Sequence, residues 1–355
     1  MYALMMAGGS GTRLWPKSRI NFPKQLHQLI SKRSLLADSI LRIKHIISNH
    51  HTWLITNKNY FLKIREQIPQ IPAENIITEP FPLGTALAVS LGMMRIYQFD
   101  QKAIVAVLWS DSHIKKNKNF IKTLLLARQV AQNEGGVIVG INPTFPATGY
   151  GYIEMGLELK KYGKLKVFKI KKFVEKPDKE KAKEFLSKWQ YLWNSGISVW
   201  KVEEYIKLFK KLMPKHYKKL LKIKKYLNQT NLNEVLAKEF KNIDPLPIDY
   251  AIYEKAHNLA VIPADLGWSD IGNWSVLKDI LNKKNKSNYI NAKHIGLETK
   301  NCLIIGGERL ITTIGIKNLV IIDTDDVILI TDKRNCEKVK DLTQKIAEEG
   351  LTDYL

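Results

Sequence analysis

At 355 residues the chain exceeds one small core and is expected to fold as two or three domains, and its 45% hydrophobic and 25% charged content is that of an ordinary globular protein. No apolar run approaches the roughly 20 residues that span a bilayer, and glycines 8 and 9 interrupt the first apolar run too early for a secretory signal, so no membrane role is expected and the cytoplasm is the expected compartment. The formal charge of +22 invites a nucleic-acid reading, yet 47 of the 56 basic residues are lysines rather than the Arg forks that read bases and clamp phosphates, and stretch 157–225 alone holds 22 Lys against seven Asp and Glu, which reads as solvated helix faces.

The first apolar run, residues 2–6, predicts a buried strand that leads into Gly8-Gly9-Ser10-Gly11-Thr12-Arg13. Glycine has no Cβ to hold an anion away and adopts positive φ, so such a turn brings backbone N–H groups close to phosphate. Arg13, and Lys24 in Phe22-Pro23-Lys24-Gln25, add one forked cation and one point charge. The loop is neither a Walker A sequence, which needs Gly-Lys-Ser/Thr, nor a dinucleotide fingerprint, because Trp15-Pro16 stands where a third glycine would open a helix. The plain alternative is a tight strand-to-loop turn with incidental glycines.

Strands are next expected at 52–56, 75–78, 103–108 and 136–140, alternating with helices at 34–47, 59–67, 84–97 and 120–133. This alternation predicts βα units on a mostly parallel sheet, with ligands beyond the carboxyl ends of its strands. The glycine-rich loop follows the first strand and Asp111 follows the 103–108 strand, so both are expected on one rim. From about 145 to 274, strands at 166–174, 192–200 and 259–263 mix with lysine-rich helices. Short β-branched runs at 302–305, 310–314, 319–323 and 327–331 then recur about every eight residues, the spacing of a small all-β module or short β-helix. A helix at 335–349 closes the chain. Cys302 and Cys336 form no Cys-x-x-Cys pair, so neither a disulfide framework nor a zinc site is indicated.

Seven motifs occur in order: the glycine-rich loop with Arg13 and Lys24; Ser110-Asp111; Thr148-Gly149-Tyr150-Gly151-Tyr152-Ile153; Phe173-Val174-Glu175-Lys176-Pro177; Trp193-Asn194-Ser195-Gly196-Ile197; Pro247-Ile248-Asp249-Tyr250-Ala251-Ile252; and Gly267-Trp268-Ser269-Asp270-Ile271-Gly272-Asn273-Trp274. Together they resemble the sugar-1-phosphate nucleotidyltransferases, and among these the mannose-1-phosphate guanylyltransferases, over nearly the whole chain. The resemblance implies a Rossmann-like (GT-A-like) mixed, mostly parallel sheet flanked by helices as a catalytic domain at 1–282, and a β-helix-like module with its closing helix at 283–355. It implies transfer of GMP from GTP to mannose 1-phosphate, giving GDP-mannose and pyrophosphate by in-line attack on the α-phosphorus, with Mg²⁺ as cofactor.

By that resemblance Gly8, Gly9, Ser10, Gly11, Thr12, Arg13, Lys24, Gly84, Thr85 and Ser110 bind the nucleotide. Arg13 sits on the β- and γ-phosphates and Lys24 near the α-phosphate. Asp111 and Asp270 hold the metal and, with Arg13 and Lys24, form the catalytic set. Gly149, Glu175, Lys176, Asn194, Gly196 and Asp249 bind the sugar phosphate. An ordinary reading stands beside several of these: a cap or turn for Asp111 and Asp270, a solvent ion pair for Glu175-Lys176, a helix start for Asp249 and core packing for Trp268 and Trp274. Two stretches depart from the family pattern. Leu83-Gly84-Thr85-Ala86 stands where Arg-Asn-Thr-Ala is usual, and Trp109-Ser110-Asp111-Ser112 where Pro-Ala-Asp-His is usual. The chain is too short for the phosphomannose isomerase domain of some relatives, so a single activity is expected. A homodimer joined through the β module is expected, and no nucleic-acid partner. The competing readings are a related nucleotidyltransferase for another sugar or base, a lysine-rich nucleic-acid-binding protein and a silent regulatory homologue.

Overall fold

Tyr2–Met6 forms strand β1, whose Ala3, Leu4 and Met5 are fully buried, as a continuous apolar run in a sheet covered on both faces should be. The computed structural model describes residues 1–9, 11–162, 165–227, 229–241, 245–282 and 287–355. These fall into two compact units: Met1–Gly8, Ser39–Ser110 and Ile114–Trp268 make the first, and Gly9–Asp38, Asp111–His113 and Ser269–Leu355 the second. The expected boundary after residue 282 falls at a stretch outside the described residues.

In the first unit β1 pairs in parallel with β2 (Thr52–Asn57), and β2 with β3 (Ile76–Glu79). On its other side β1 pairs in parallel with β4 (Ile104–Trp109). The sheet continues through β5 (Gly136–Ile141), β6 (Tyr152–Tyr162), β7 (Leu165–Val174), β8 (Tyr191–Lys201) and β9 (Ala260–Pro263) in the order β3-β2-β1-β4-β8-β5-β9-β7-β6, with β6 also meeting β8. The parallel expectation holds for β1 to β4. Beyond them only β5–β9 is parallel, because β8 enters antiparallel between β4 and β5 and the β6–β7 hairpin can close only antiparallel. The sheet is therefore mixed. Strand β6 went unforeseen because Leu157, Leu159, Lys160 and Lys161 are solvent-exposed and show no buried face.

Helices α1 (Leu35–Ile43), α2 (Phe61–Gln67), α3 (Thr85–Phe99) and α4 (Asn117–Glu134) follow the alternation read from sequence. Expected to reach 47, α1 stops at Ile43, whose carbonyl accepts from both Ile46 N and Ile47 N and tightens the last turn. Helix α3 buries every residue from Ala86 to Ile96, a stretch apolar on nearly every face, with Ser90 and Arg95 its polar exceptions. Then come α5 (Lys179–Leu186), α6 (Val202–Leu212), α7 (Pro214–Ile223) and α8 (Leu232–Phe240). Helix α6 buries Val202, Tyr205, Ile206 and Phe209 at helical spacing and leaves Lys207, Lys210 and Lys211 outside, the solvated lysine face expected of it.

The second unit carries α9 (Trp274–Leu281) and short strands β10 (Tyr289–Asn291), β11 (His294–Leu297), β12 (Leu303–Ile305), β13 (Ile311–Ile314), β14 (Leu319–Asp323) and β15 (Ile328–Asp332). Successive turns stack in parallel, β10 on β12 on β14 and β11 on β13, and a β14–β15 hairpin ends the coil. This is a parallel β-helix-like module. The closing helix is shorter than expected: a 3-10 stretch covers Lys333–Lys338 before α10 (Val339–Glu348). Leu14 and Trp15 belong to the module's core with Trp274, Leu303, Val320 and Ile322, and Trp274 Nε1 donates to Trp15 O at 2.8 Å. Trp274 is a core residue. Among the described residues no helix is long and apolar enough to cross a membrane.

Candidate active site

In the first unit the carboxyl ends of β1, β3 and β4 share one rim. Ser110 ties two of them: its N–H donates to Met6 O at 3.1 Å and its buried hydroxyl to the same oxygen at 2.8 Å, so the loops after β1 and β4 leave side by side as expected. Glu79 ends β3 beside Gly8, where a Cβ would lie 3.4 Å from Glu79 Oε2. Its carboxylate accepts from the Leu83 N–H, yet Oε1 is buried and has no partner among the described residues. Burial pushes the Glu79 pKa up to about 7. Gly84, at φ 80°, begins α3 where a side chain would strike the backbone of Leu246 at 2.5 Å. Thr85 Oγ1 accepts from Ile248 N at 2.8 Å, and Ala86 N donates to Leu246 O, which together pin 246–248 against the start of α3.

The proposed sugar residues form one cluster at the same end of the sheet. Asn194, near the middle of β8, donates through Nδ2 to Asp249 Oδ1 at 2.9 Å and accepts at Oδ1 from Gly196 N at 3.0 Å. Gly196 O in turn accepts from Trp109 Nε1 at 2.8 Å, which anchors this turn to the end of β4. Glu175, largely buried after β7, pairs with Lys176 Nζ at 3.3 Å, and its own N–H donates to Glu254 at 3.1 Å. Burial raises the Glu175 pKa. Burial, reinforced by the Glu175 charge, raises that of Asp249 to about 7. Gly149 lies in the open loop before β6, with nothing within 4 Å of where a Cβ would be. Beside it Tyr150 packs edge-on against Trp193 and Trp268.

The second unit carries a cluster of its own around Lys24 and Arg13. Gly11 takes φ 67°, and a Cβ there would come within 2.6–2.9 Å of the Lys24 side chain. The missing Cβ therefore lets Lys24 lie along the loop. Lys24 Nζ reaches Asp111 Oδ2 at 2.8 Å and Asp270 O at 3.4 Å. Asp270 Oδ1 accepts from Gly272 N at 3.2 Å. Arg13 Nη1 reaches Glu337 Oε2 at 2.8 Å. Thr12 begins the 3-10 turn that carries Arg13, while Ser10 lies outside the described residues. The ammonium of Lys24 thus donates to oxygens of two loops, and carboxylate and carbonyl oxygens suit a hard divalent cation. No cluster of three or more metal-binding side chains exists among the described residues, so such an ion would complete its shell with water or phosphate oxygens.

The sequence pattern of the family described as nucleotidyl transferase matches residues 2–287, and that of the MannoseP isomerase/GMP-like beta-helix domain matches residues 292–346. Over 357 residues the chain is 32% identical to a mannose-1-phosphate guanylyltransferase of Salmonella montevideo, covering 99% of this chain and 75% of that protein. The chain belongs to the mannose-1-phosphate guanylyltransferase family of nucleotidyl transferases. It is also 32% identical to the alginate biosynthesis protein AlgA of Pseudomonas syringae pv. tomato over 357 residues, 99% of this chain and 73% of that protein. A solved structure described as mannose-1-phosphate geranyltransferase from Thermus thermophilus matches with a TM-score of 0.86 at 28% identity, over 98% of this chain and 99% of that one. Mannose-6-phosphate isomerase from Helicobacter pylori shares the fold at a TM-score of 0.60 and 22% identity, over 76% of this chain and all (100%) of that one. Nucleotidyl transferases use a divalent metal, for which the Asp111 and Asp270 oxygens are suitable donors.

Two residues escaped the sequence reading. Glu79 lay one residue past the strand expected at 75–78 and was given no role, although an acid following an apolar strand just before Pro80 was a usable signal. Glu337 lies in a lysine-rich closing segment, and nothing local marks it as a partner of Arg13.

Proposed function

We propose that the chain transfers GMP from GTP to mannose 1-phosphate. An oxygen of the sugar phosphate attacks the α-phosphorus, the bond from that phosphorus to the bridging oxygen of the β-phosphate breaks, and pyrophosphate leaves with the electron pair. The barrier is one of charge and alignment, so fixed cations and backbone donors supply most of the catalysis. In this reading the backbone from Gly8 to Thr12 and Arg13 hold the β- and γ-phosphates, and Lys24 neutralises charge gathering at the α-phosphate. Asp111 and Asp270 hold Mg²⁺, which when bound offsets charge on the phosphate oxygens. Glu175 and Asn194 take mannose hydroxyls, with Asp249 fixing the Asn194 amide. Lys176 takes the sugar phosphate, and the Gly149 and Gly196 backbone lies against the ring.

The observation that carries the choice of guanine is Glu79. A buried carboxylate with an unpartnered oxygen matches two adjacent N–H donors, and guanine N1–H with N2–H₂ presents such a pair where uracil and thymine present one N–H. This supplies the polar reading group that Leu83 and Gly84, in place of the family's Arg and Asn, do not provide. Pyrophosphate release measured with four nucleoside triphosphates against several sugar 1-phosphates tests the assignment. GTP with mannose 1-phosphate should turn over fastest, and no turnover above background for that pair would overturn it.

We further propose a compartment, a domain boundary and an oligomeric state. The compartment is cytoplasmic. The catalytic domain ends near residue 282, with the β module following. The chain pairs as a homodimer through exposed apolar side chains of that module, Ile295, Leu297 and Ile314 among them. Light scattering on the purified protein checks the last.

A further inference from the structure

Arg13 is the one arginine of the glycine-rich loop, and its guanidinium is already committed to a protein carboxylate. Nη1 lies 2.8 Å from Oε2 of Glu337, while Oε1 of the same carboxylate accepts from Asn273 Nδ2. Asn273 is fixed in turn, because its Oδ1 accepts from Val276 N at 3.0 Å and caps α9. That cap immediately follows Asp270-Ile271-Gly272, the turn in which Asp270 Oδ1 accepts from Gly272 N. One carboxylate therefore joins the arginine of the phosphate loop to the turn that carries Asp270.

The backbone beneath Glu337 is equally constrained. Its neighbour Cys336 is 1% exposed and belongs to the core that contains Leu14, Trp15 and Trp274. Asp332 caps the 3-10 stretch by accepting from Arg334 N at 2.8 Å. The loop side is held too: Trp15 Nε1 donates to Tyr354 O at 2.6 Å, and Arg19 pairs with Asp326 at 2.7 Å. Arg13 has 44% of its side chain in solvent and its one polar partner among the described residues is Glu337, so no described residue occupies the Nε and Nη2 edge that a phosphate would take.

We propose that Glu337 is a positioning residue for nucleotide binding, holding Arg13 through Nη1 so that a triphosphate meets a guanidinium already in place and aligned with the Asp270 turn. An arginine has much rotamer freedom to lose when it clamps a ligand, and a partner that removes that freedom beforehand lowers the cost of binding. The opposing effect, one negative charge near an anionic ligand, is screened by the exposure of both groups. This inference rests on the reading of Arg13 as a triphosphate ligand.

Steady-state pyrophosphate release with each substrate varied in turn tests it on the full chain carrying Arg13→Ala, Glu337→Gln, Glu337→Asp and the Arg13→Ala/Glu337→Gln pair, with thermal melting as a control for folding. Glu337→Gln should raise the KM for GTP about fivefold, the scale of a well-placed exposed ion pair. The KM for mannose 1-phosphate and the melting temperature should stay unchanged, and Glu337→Asp should restore part of the loss. With Arg13 absent, Glu337→Gln should add nothing. An unchanged or lowered KM for GTP in Glu337→Gln, or an equal effect with and without Arg13, overturns the proposal. If Arg13→Ala leaves the KM for GTP unaltered, the reading of Arg13 itself has failed. If Arg13→Ala raises it and Glu337→Gln does not, only the positioning role has failed.

Discussion

Lys24 Nζ lies 2.8 Å from Asp111 Oδ2, with the carbonyl oxygen of Asp270 at 3.4 Å on the same ammonium. One lysine thus balances the charge of a proposed metal ligand and marks where cationic charge is wanted. Lys24→Met keeps the stem and removes the charge. Turnover should fall about 100-fold, the scale of losing one fixed electrostatic donor, while the melting temperature moves little because the pair is partly exposed. Unchanged kcat in that variant would remove Lys24 from the chemistry.

Gly11 is the backbone counterpart of this arrangement. A methyl group there would sit within 2.6–2.9 Å of Lys24 carbons at a φ of 67°. Gly11→Ala should therefore cost roughly 1–2 kcal/mol of stability from the left-handed conformation alone and displace Lys24. Loss of turnover larger than the loss of stability, compared by melting and kinetics on one sample, is the expected result.

Glu79 gives a pH signature with a definite sign. Its folded pKa is raised to about 7 from an ordinary value of 4.5. Between those two values the folded protein holds a proton that the unfolded chain releases, so this group makes stability fall as pH rises through the window, with the full penalty above it. Glu79→Gln should raise stability at pH 8 by on the order of 2–3 kcal/mol and leave it nearly unchanged at pH 4. Only the ionised carboxylate accepts both guanine donors, so the KM for GTP should fall as pH rises through about 7 in the parent protein and lose that dependence in Glu79→Gln. Urea melts and GTP titrations across pH 5–9 read both effects.

Asn194 uses its amide in both directions, towards Asp249 and from Gly196. Asn194→Ala should raise the KM for mannose 1-phosphate about tenfold, the cost of leaving a partly buried acceptor unsatisfied and a sugar hydroxyl uncontacted, with the KM for GTP unchanged. A variant that weakened GTP instead would displace Asn194 from the sugar.

The alternation from β1 to β5 was legible because buried strands of a parallel sheet read as unbroken apolar runs. Tyr2–Met6 matches to the residue, and Thr52–Asn57 and Ile76–Glu79 to within one. The solvated faces of α6 and α7 and the eight-residue beat of the β module were legible for the same local reason. What was not legible is long-range. The insertion of β8 between β4 and β5 is a pairing of distant segments that no local pattern encodes. Strand β6 hides its period behind exposed lysines. The polar partnerships of the site, Lys24 with Asp111 and Arg13 with Glu337, join residues far apart in sequence, and the family resemblance named three of those four without showing that they touch.

Mass spectrometry of the products reads guanylyl transfer to mannose 1-phosphate most directly. Purified protein with GTP, mannose 1-phosphate and Mg²⁺ should form GDP-mannose and pyrophosphate in equal amounts, with formation abolished by Asp111→Asn at an unchanged melting temperature. Absence of GDP-mannose under these conditions, with the protein folded, would contradict the account.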